Sequence, residues 1–383
     1  DIMEFTEGKL ANVFGHAFAE IDTYPVRLRL PSPPFLALSR VMALQAQPLS
    51  LEPGYIVTEF DVPTDAWYAV DGQVPFMAID AQGILFLLSY VGVDLIGKGQ
   101  WMYRWLNSEM QFFDEFPKAG DTIRYEIHLE SFVQHDDALL CFSHFECRVK
   151  DKLVLRISNT CAGFFTQATL QQGKSLGSVP QLADQSATMV FSPLLFCQKN
   201  EFSQQDLNLL QRGEIAACFD QTYYQQERNP SLRLAPGPML MIDRITMLTL
   251  QGGLYGLGYF CAEKDLNPNH WYMRNHFKDA PIFAGPCMLQ AAIDMLQFFG
   301  LYIGLQVQTQ DARFQMTTQP YKAIFRKQVS ALQGIFSLRA DIKAIDILEN
   351  LTVIADVSLI YQDEIIGKFE NLGIQLKEKS PCV

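Results

Sequence analysis

The chain reads as an α+β protein built from two repeats, each with one long helix wrapped by a curled antiparallel sheet. Three observations predict this. The chain repeats its own order of motifs, each half holds one strongly apolar segment of helix length, and runs of alternating polarity follow each of those segments. The repeat begins where residues 8–14 (GKLANVF) return as 213–219 (GEIAACF), and where 24–31 (YPVRLRLP) return as 229–236 (NPSLRLAP), at one common offset. Residues 34–41 (PFLALSRV) then match 238–245 (PMLMIDRI), and Trp67-Tyr68 match Trp271-Tyr272, at an offset one residue shorter. Self-similarity at a fixed spacing is the signature of a duplicated unit. The predicted organisation is residues 1–170 as the first unit, 171–205 as a Gln-, Ser- and Gly-rich linker, and 206–383 as the second unit.

Each half opens with a short helical stretch and Pro-flanked segments. The central helices are expected at 78–92 (AIDAQGILFLLSYVG) and 286–300 (PCMLQAAIDMLQFFG). Both are apolar nearly all round, which suits a helix enclosed by a sheet rather than one lying on a surface. Strands are expected at 121–132, 138–149 and 152–159, and again at 335–344, 350–361 and 364–376. Alternating polarity over such lengths marks half-buried antiparallel strands, with D-K and Q-D as hairpin turns.

Composition narrows the function classes. Over 383 residues, 49% hydrophobic and 12% aromatic content supplies ample core for two or three domains. A formal charge of -12 without any basic run argues against nucleic acid as a partner. The 8 cysteines, from Cys141 to Cys382, form no C-x-x-C pair and sit mostly in apolar strings. They indicate reduced thiols and a cytoplasmic compartment. The 6 histidines do not fall at ligand spacing with them, so no metal is expected. No apolar stretch is long enough to span a bilayer and none resembles a signal peptide; a chain starting at Asp1 is what a piece of a longer polypeptide would show.

The chemistry concentrates at His276, within residues 271–286 (WYMRNHFKDAPIFAGP), shortly ahead of a glycine that opens the second central helix. A proton acceptor beside the free backbone N–H groups of a helix start can deprotonate next to a carbonyl while polarising it. The first half has Gly72 in the position of His276, and no histidine in the loop.

These residues carry a resemblance. The stretch PMLMIDRI, then GGLYGLGYF (252–260), then residues 265–285 resembles the bacterial 3-hydroxyacyl-(acyl carrier protein) dehydratases of the hotdog fold, strongly over about 238–300. Two fused halves are similar to the double-hotdog dehydratases of polyketide and, more closely, polyunsaturated fatty acid synthases. The resemblance implies a double hotdog in which a histidine of one half and a carboxylic acid of the other share one active site. Single-hotdog relatives carry the acid where this chain has Gln290. The first half instead has VPFMAIDAQ (74–82), which resembles the H-P-x-x-L-D-x-x-x-Q motif of the acid-bearing hotdog. Valine replaces the leading histidine there, one residue is inserted before Asp80, and Gln82 follows it by two residues instead of four. By this resemblance His276 is the base and Asp80 the acid, kept protonated by burial beside the imidazole; the Gly285 N–H faces the thioester oxygen, and Gln290 adds an amide hydrogen bond.

The implied reaction is dehydration of 3-hydroxyacyl thioesters to 2-enoyl thioesters, with double-bond isomerisation as an extension. The implied partners are an acyl carrier protein and the neighbouring domains of a multidomain synthase. No cofactor is implied beyond the carrier's phosphopantetheine. Plainer roles stand beside these: Asp80 as a helix-start carboxylate, Asp294 as an internal polar contact and rival acid, and Phe76, Phe277 and Phe283 as core or tunnel lining. His128, His135, His144 and His270 read as structural residues without partners. Arg274 and Lys278, or Arg326 and Lys327, are candidate carrier-docking cations. The alternative functions are an acyl thioesterase and a non-catalytic scaffold pair within a synthase.

Overall fold

The computed structural model describes residues 2–178, 191–279, 281–327, 329 and 333–379. Part of the expected linker (179–190) and Cys382 lie outside them.

The first half contributes β1 (Arg40–Gln45), β2 (Gly54–Asp61), β3 (Met102–Phe112), β4 (Thr122–His135), β5 (Ala138–Val149) and β6 (Lys152–Phe165). The second contributes β7 (Arg244–Thr249), β8 (Tyr259–Leu266), β9 (Ala312–Met316), β10 (Tyr321–Phe325), β11 (Gly334–Asp346), β12 (Thr352–Tyr361) and β13 (Glu364–Glu378). They form one antiparallel sheet in the order β1-β2-β4-β5-β6-β3-β10-β13-β12-β11-β8-β7, with β9 pairing β13 off that path. The sheet does not close. The order is a palindrome about the β3–β10 seam, where Met110 pairs with Tyr321 and Ser108 with Ala323. Duplication in sequence has thus become a pseudo-two-fold fold, α+β and double hotdog as expected.

The repeat extends to single contacts. Arg40 on β1 pairs with Glu59 at 2.6 Å and with Asp61, both on β2; its counterpart Arg244 on β7 pairs with Glu263 at 2.7 Å and Asp265 at 2.8 Å on β8. Such partly exposed pairs contribute little stability, typically about 0 to 1 kcal/mol, but they join the same two strands at both ends of the sheet. The hairpin turns likewise repeat. Lys150 and Asp151, then Gln362 and Asp363, have positive φ at both turn positions, as type I′ hairpins require. In the first of these Lys152 already belongs to β6, so the turn is K-D rather than D-K.

The two central helices differ. The second spans Gly285–Tyr302 with nearly every residue buried. The first is confined to Gly83–Tyr90, preceded by a 3-10 turn at Phe76–Ile79 and ended by Gly92 in the left-handed region. The expected helix breaks at Asp80, whose backbone is extended (φ -67, ψ 137). The Ile79 carbonyl accepts a hydrogen bond from the Tyr125 hydroxyl on β4. A sheet residue therefore occupies an acceptor that a helix would have used, and Asp80 is left on a kink instead of a helical turn.

Candidate active site

His276 is positioned by both halves. It follows the helical turn Trp271–Arg274; the Ser32 N–H donates to the Asn275 carbonyl at 3.0 Å, and the Ile282 N–H to the His276 carbonyl at 3.1 Å. Arg29 and Asp279 add an ion pair at 2.5 Å between the first half and the same loop. The ring of Phe35 meets the imidazole edge-on at a centroid distance of 5.4 Å, and Phe277 lies against it at 4.0 Å. The imidazole is 8% exposed, and its Nδ1 has no hydrogen-bond partner among the described residues. Burial drives its pKa down to about 3, aided by the nearby Arg104 charge and opposed only by the residue's own backbone. At neutral pH the ring is uncharged, the state a base requires.

Asp80 shares a cavity of about 260 Å³ with His276. Burial raises its carboxyl pKa to about 6, against the opposing pull of the Ala81 N–H and the Gln82 side chain. Gln82 is itself fixed, donating to the Phe35 carbonyl at 2.7 Å and accepting from the Ala37 N–H at 2.8 Å. The shift is in the direction an acid at this position requires, and burial is its largest cause.

Of the other expected residues, Gly285, Phe76, Phe277 and Phe283 line this cavity. Gly285 is the first residue of the second central helix, whose N-cap Ala284 offers no side-chain acceptor. Its N–H belongs to the first turn, whose donors have no intrahelical partner, and Pro286 removes the next one. The glycine is needed for space: a Cβ here would lie 2.6 Å from the Trp105 ring.

Gln290 is placed elsewhere. It is not among the residues lining this cavity; its amide donates to Asp294 at 2.7 Å, and its Oε1 accepts from the Met77 N–H at 3.4 Å. A direct hydrogen bond from Gln290 to a substrate in this cavity is thereby corrected, because helix geometry points it along the i, i+4 direction to Asp294. Asp294, fully buried, also accepts from the Met241 N–H at 2.7 Å, and burial lifts its pKa to about 7. It is an internal polar contact, as the plainer reading had it. Asp294→Leu is expected to lower unfolding free energy by about 2 to 4 kcal/mol, since it strands two buried donors, whereas Asp294→Asn, which keeps one acceptor oxygen and turns its NH₂ toward the other donor, should recover only part of it. Denaturant unfolding of both variants measures this.

Residues without a motif complete the site. Tyr103, Arg104 and Trp105 on β3 line the cavity, as do Ser108 and Met110. An aromatic string on a strand is an ordinary core signal, and only the sheet seam brings it beside the second half. Of the candidate cations, Arg326 and Lys327 line the cavity, and Lys327 is paired with Glu364; Arg274 and Lys278 do not line it. The remaining histidines are better connected than expected. His144 lies 2.6 Å from Glu130 and stacks with His128 at 4.6 Å, and His270 meets the Tyr272 hydroxyl at 2.6 Å.

Among the described residues no cluster of three or more His, Cys, Asp or Glu could hold a metal ion, and no helix is long and apolar enough to cross a membrane.

Residues 234–370 match the FabA-like domain family. Over 376 residues the chain is 31% identical to one of the polyunsaturated fatty acid synthase subunits of Thraustochytrium sp. (strain ATCC 26185 / S-3), an alignment covering 94% of this chain and 25% of that protein. The chain thus spans about a quarter of that curated relative. Among solved structures, an inactive variant of the CurJ dehydratase aligns with a TM-score of 0.46 and 8% identity, over 90% of this chain and 98% of the other. The dehydratase domain from the CurF module of curacin polyketide synthase aligns at 0.43 and 10%, over 90% and 99%.

Proposed function

We propose that this chain, whose residues 234–370 match the FabA-like domain family, is a dehydratase segment of a polyunsaturated fatty acid synthase, converting 3-hydroxyacyl thioesters to 2-enoyl thioesters. One observation carries the reading: His276 and Asp80, from opposite halves, open on the same cavity. Neutral His276 removes the C2 proton while protonated Asp80 donates to the departing C3 hydroxyl, so that the C–O bond breaks, the C2–C3 double bond forms and water leaves. The charge developing on the thioester oxygen is met by the Gly285 N–H and the positive end of the helix. The largely apolar walls, Met110, Phe145 and Ile157 among them, suit an acyl chain. An acyl carrier protein would present that chain on phosphopantetheine, with Arg326 and Lys327 lining the cavity as the cations that meet it. Removing a proton from C4 of the 2-enoyl product and returning it at C2, so that the double bond moves to C3–C4, would make the same base an isomerase, which product analysis of the enoyl chain distinguishes.

The test is incubation with 3-hydroxyacyl pantetheine thioesters, following enoyl absorbance and free thiol together. Enoyl absorbance without thiol supports the reading; thiol without enoyl makes the chain a thioesterase, and neither product makes it a scaffold.

The two pKa values set the pH dependence. The active protonation state needs His276 neutral, true above about pH 3, and Asp80 protonated, true below about pH 6. kcat/KM should therefore fall tenfold per unit above about pH 6, with no limb from the histidine on the acid side in the folded range. Stability carries opposite signs for the two groups. Because Asp80 is raised from its ordinary value near 3.9, its contribution declines as pH rises through about 4 to 6. Because His276 is lowered from near 6.5, its contribution declines as pH falls from about 6.5 to 3. A pH–rate profile of the wild type against Asp80→Asn checks the alkaline limb, which the variant should lack.

A further inference from the structure

The pseudo-two-fold makes a second place on the molecule equivalent to the catalytic cavity. The catalytic cavity lies between the His276–Gly285 loop, the first central helix and β3. A second cavity, about 60 Å³, lies between the first-half loop at residues 70–76, the second central helix at Gln290, Ile293 and Gln297, and β9 at Arg313 and Phe314. The loop here is a tight hairpin instead of a helical turn. Asp71 and Gly72 both have positive φ (50 and 77), and the Val70 and Gln73 backbones exchange hydrogen bonds at 2.8 and 2.9 Å. With Gly72 where the other loop has His276, this cavity has no histidine to serve as the base.

It has hydrogen-bond donors beside one carboxylate, Asp71, whose buried Oδ2 lies 3.3 Å from Arg313 and 2.7 Å from Lys379. Gln73 lines the cavity, is 7% exposed, and its buried Nε2 has no hydrogen-bond partner among the described residues; nor have Nε and Nη1 of Arg313 a hydrogen bond there. Arg313 is only loosely held by carboxylates, at 3.3 Å from Asp71 and 3.9 Å from Glu115, while Asp71 is closer to Lys379 at 2.7 Å. The charged residues lining the cavity are Asp71, Arg233 and Arg313, so positive charge is in excess. Buried donors left without an acceptor cost about 1 to 3 kcal/mol each, and the group that satisfies several at once beside a guanidinium is an oxyanion.

We propose that this second cavity is a binding site for a small oxyanion, of the size of acetate or phosphate, held by Arg313 and the Gln73 amide with Arg233 at its rim. Walls formed by Val74, Phe76, Leu232 and Ile293 limit the occupant to one carboxylate or phosphate group. The site stands apart from the dehydratase reading and does not depend on it. Phe76 lines both cavities, so occupancy would be felt at the wall of the catalytic one.

The test is calorimetric titration of the whole chain with sodium acetate and with sodium phosphate, at ionic strength held constant with sodium chloride. One saturable site is expected, weakened about tenfold by Gln73→Leu and more by Arg313→Met, with Gln73→Leu leaving the circular dichroism spectrum and the chloride-buffer melting point unchanged. Arg313→Met also removes ion pairs, so Gln73→Leu is the deciding variant. Absence of saturable binding above the chloride control overturns the proposal. Equal affinity in wild type and Gln73→Leu does so too, because it assigns the anion to another place such as the Arg326–Lys327 rim. A high-resolution structure grown in phosphate that shows only water against Gln73 and Arg313 would have the same force.

Discussion

Replacing His276 by alanine is expected to lower the rate of enoyl formation by about 10²- to 10⁴-fold, the usual worth of a positioned general base. Asp80→Asn should cost a comparable factor, because the amide keeps the shape of the carboxyl and cannot deliver its proton. The double variant should be hardly slower than the worse single one. Groups acting in one step are strongly non-additive, so once either is gone the other has little left to assist. Two independent sites would instead show partial activity in each single variant. His276→Ala should fold normally, since the imidazole Nδ1 has no partner to strand among the described residues and the ring borders an existing cavity. Single-turnover rates with a 3-hydroxyacyl pantetheine substrate, alongside melting curves, decide the matter. Undiminished turnover in His276→Ala would end the proposed mechanism.

Gly285→Ala is the second large effect. The added methyl would stand 2.6 Å from Trp105 Cε3, closer than packed atoms tolerate, and in ordinary contact with the Phe325 ring at 3.4 Å. Either the indole turns into the cavity or the helix start retreats from the thioester. Displacing one oxyanion donor typically costs about 10²- to 10³-fold in kcat, and a loss of that size is expected here with a smaller change in KM. Trp105 is anchored by its Nε1 donating to the Ser108 hydroxyl at 2.7 Å, and it packs on Phe325 at 4.7 Å. Gly285→Ala combined with Trp105→Leu should therefore recover part of kcat, because space is restored while the N–H remains. If Gly285→Ala alone turns over at the wild-type rate, the helix start is not what orients the substrate.

Much of the architecture was legible before any coordinates. Alternating polarity marked β4, β5 and β6 and their counterparts β11, β12 and β13 with ends shifted by a few residues, because each buries one face and exposes the other. The second central helix was legible for the converse reason, being apolar all round. The first was not. Residues 78–92 carry the same composition, yet Tyr125 takes the Ile79 carbonyl and turns the chain at Asp80. That contact joins residues far apart in sequence, so no local pattern could announce it. Gln290 was misplaced for a related reason: its position in the motif was readable, but its Asp294 partner, one helical turn on, decides where its amide points.

The chain by itself determined the duplication, the asymmetry of histidine between the halves, and the pairing of helix-length with strand-length apolar segments, since these are properties of residue order and side-chain chemistry. Only the tertiary structure decided that Asp80 and His276 meet in one cavity, that β3 supplies its wall, and that the equivalent place across the pseudo-two-fold holds arginine and glutamine donors. Meeting across the β3–β10 seam depends on how the two halves of the sheet join, and that is set by long-range backbone pairing and burial to which each residue contributes only in its folded surroundings.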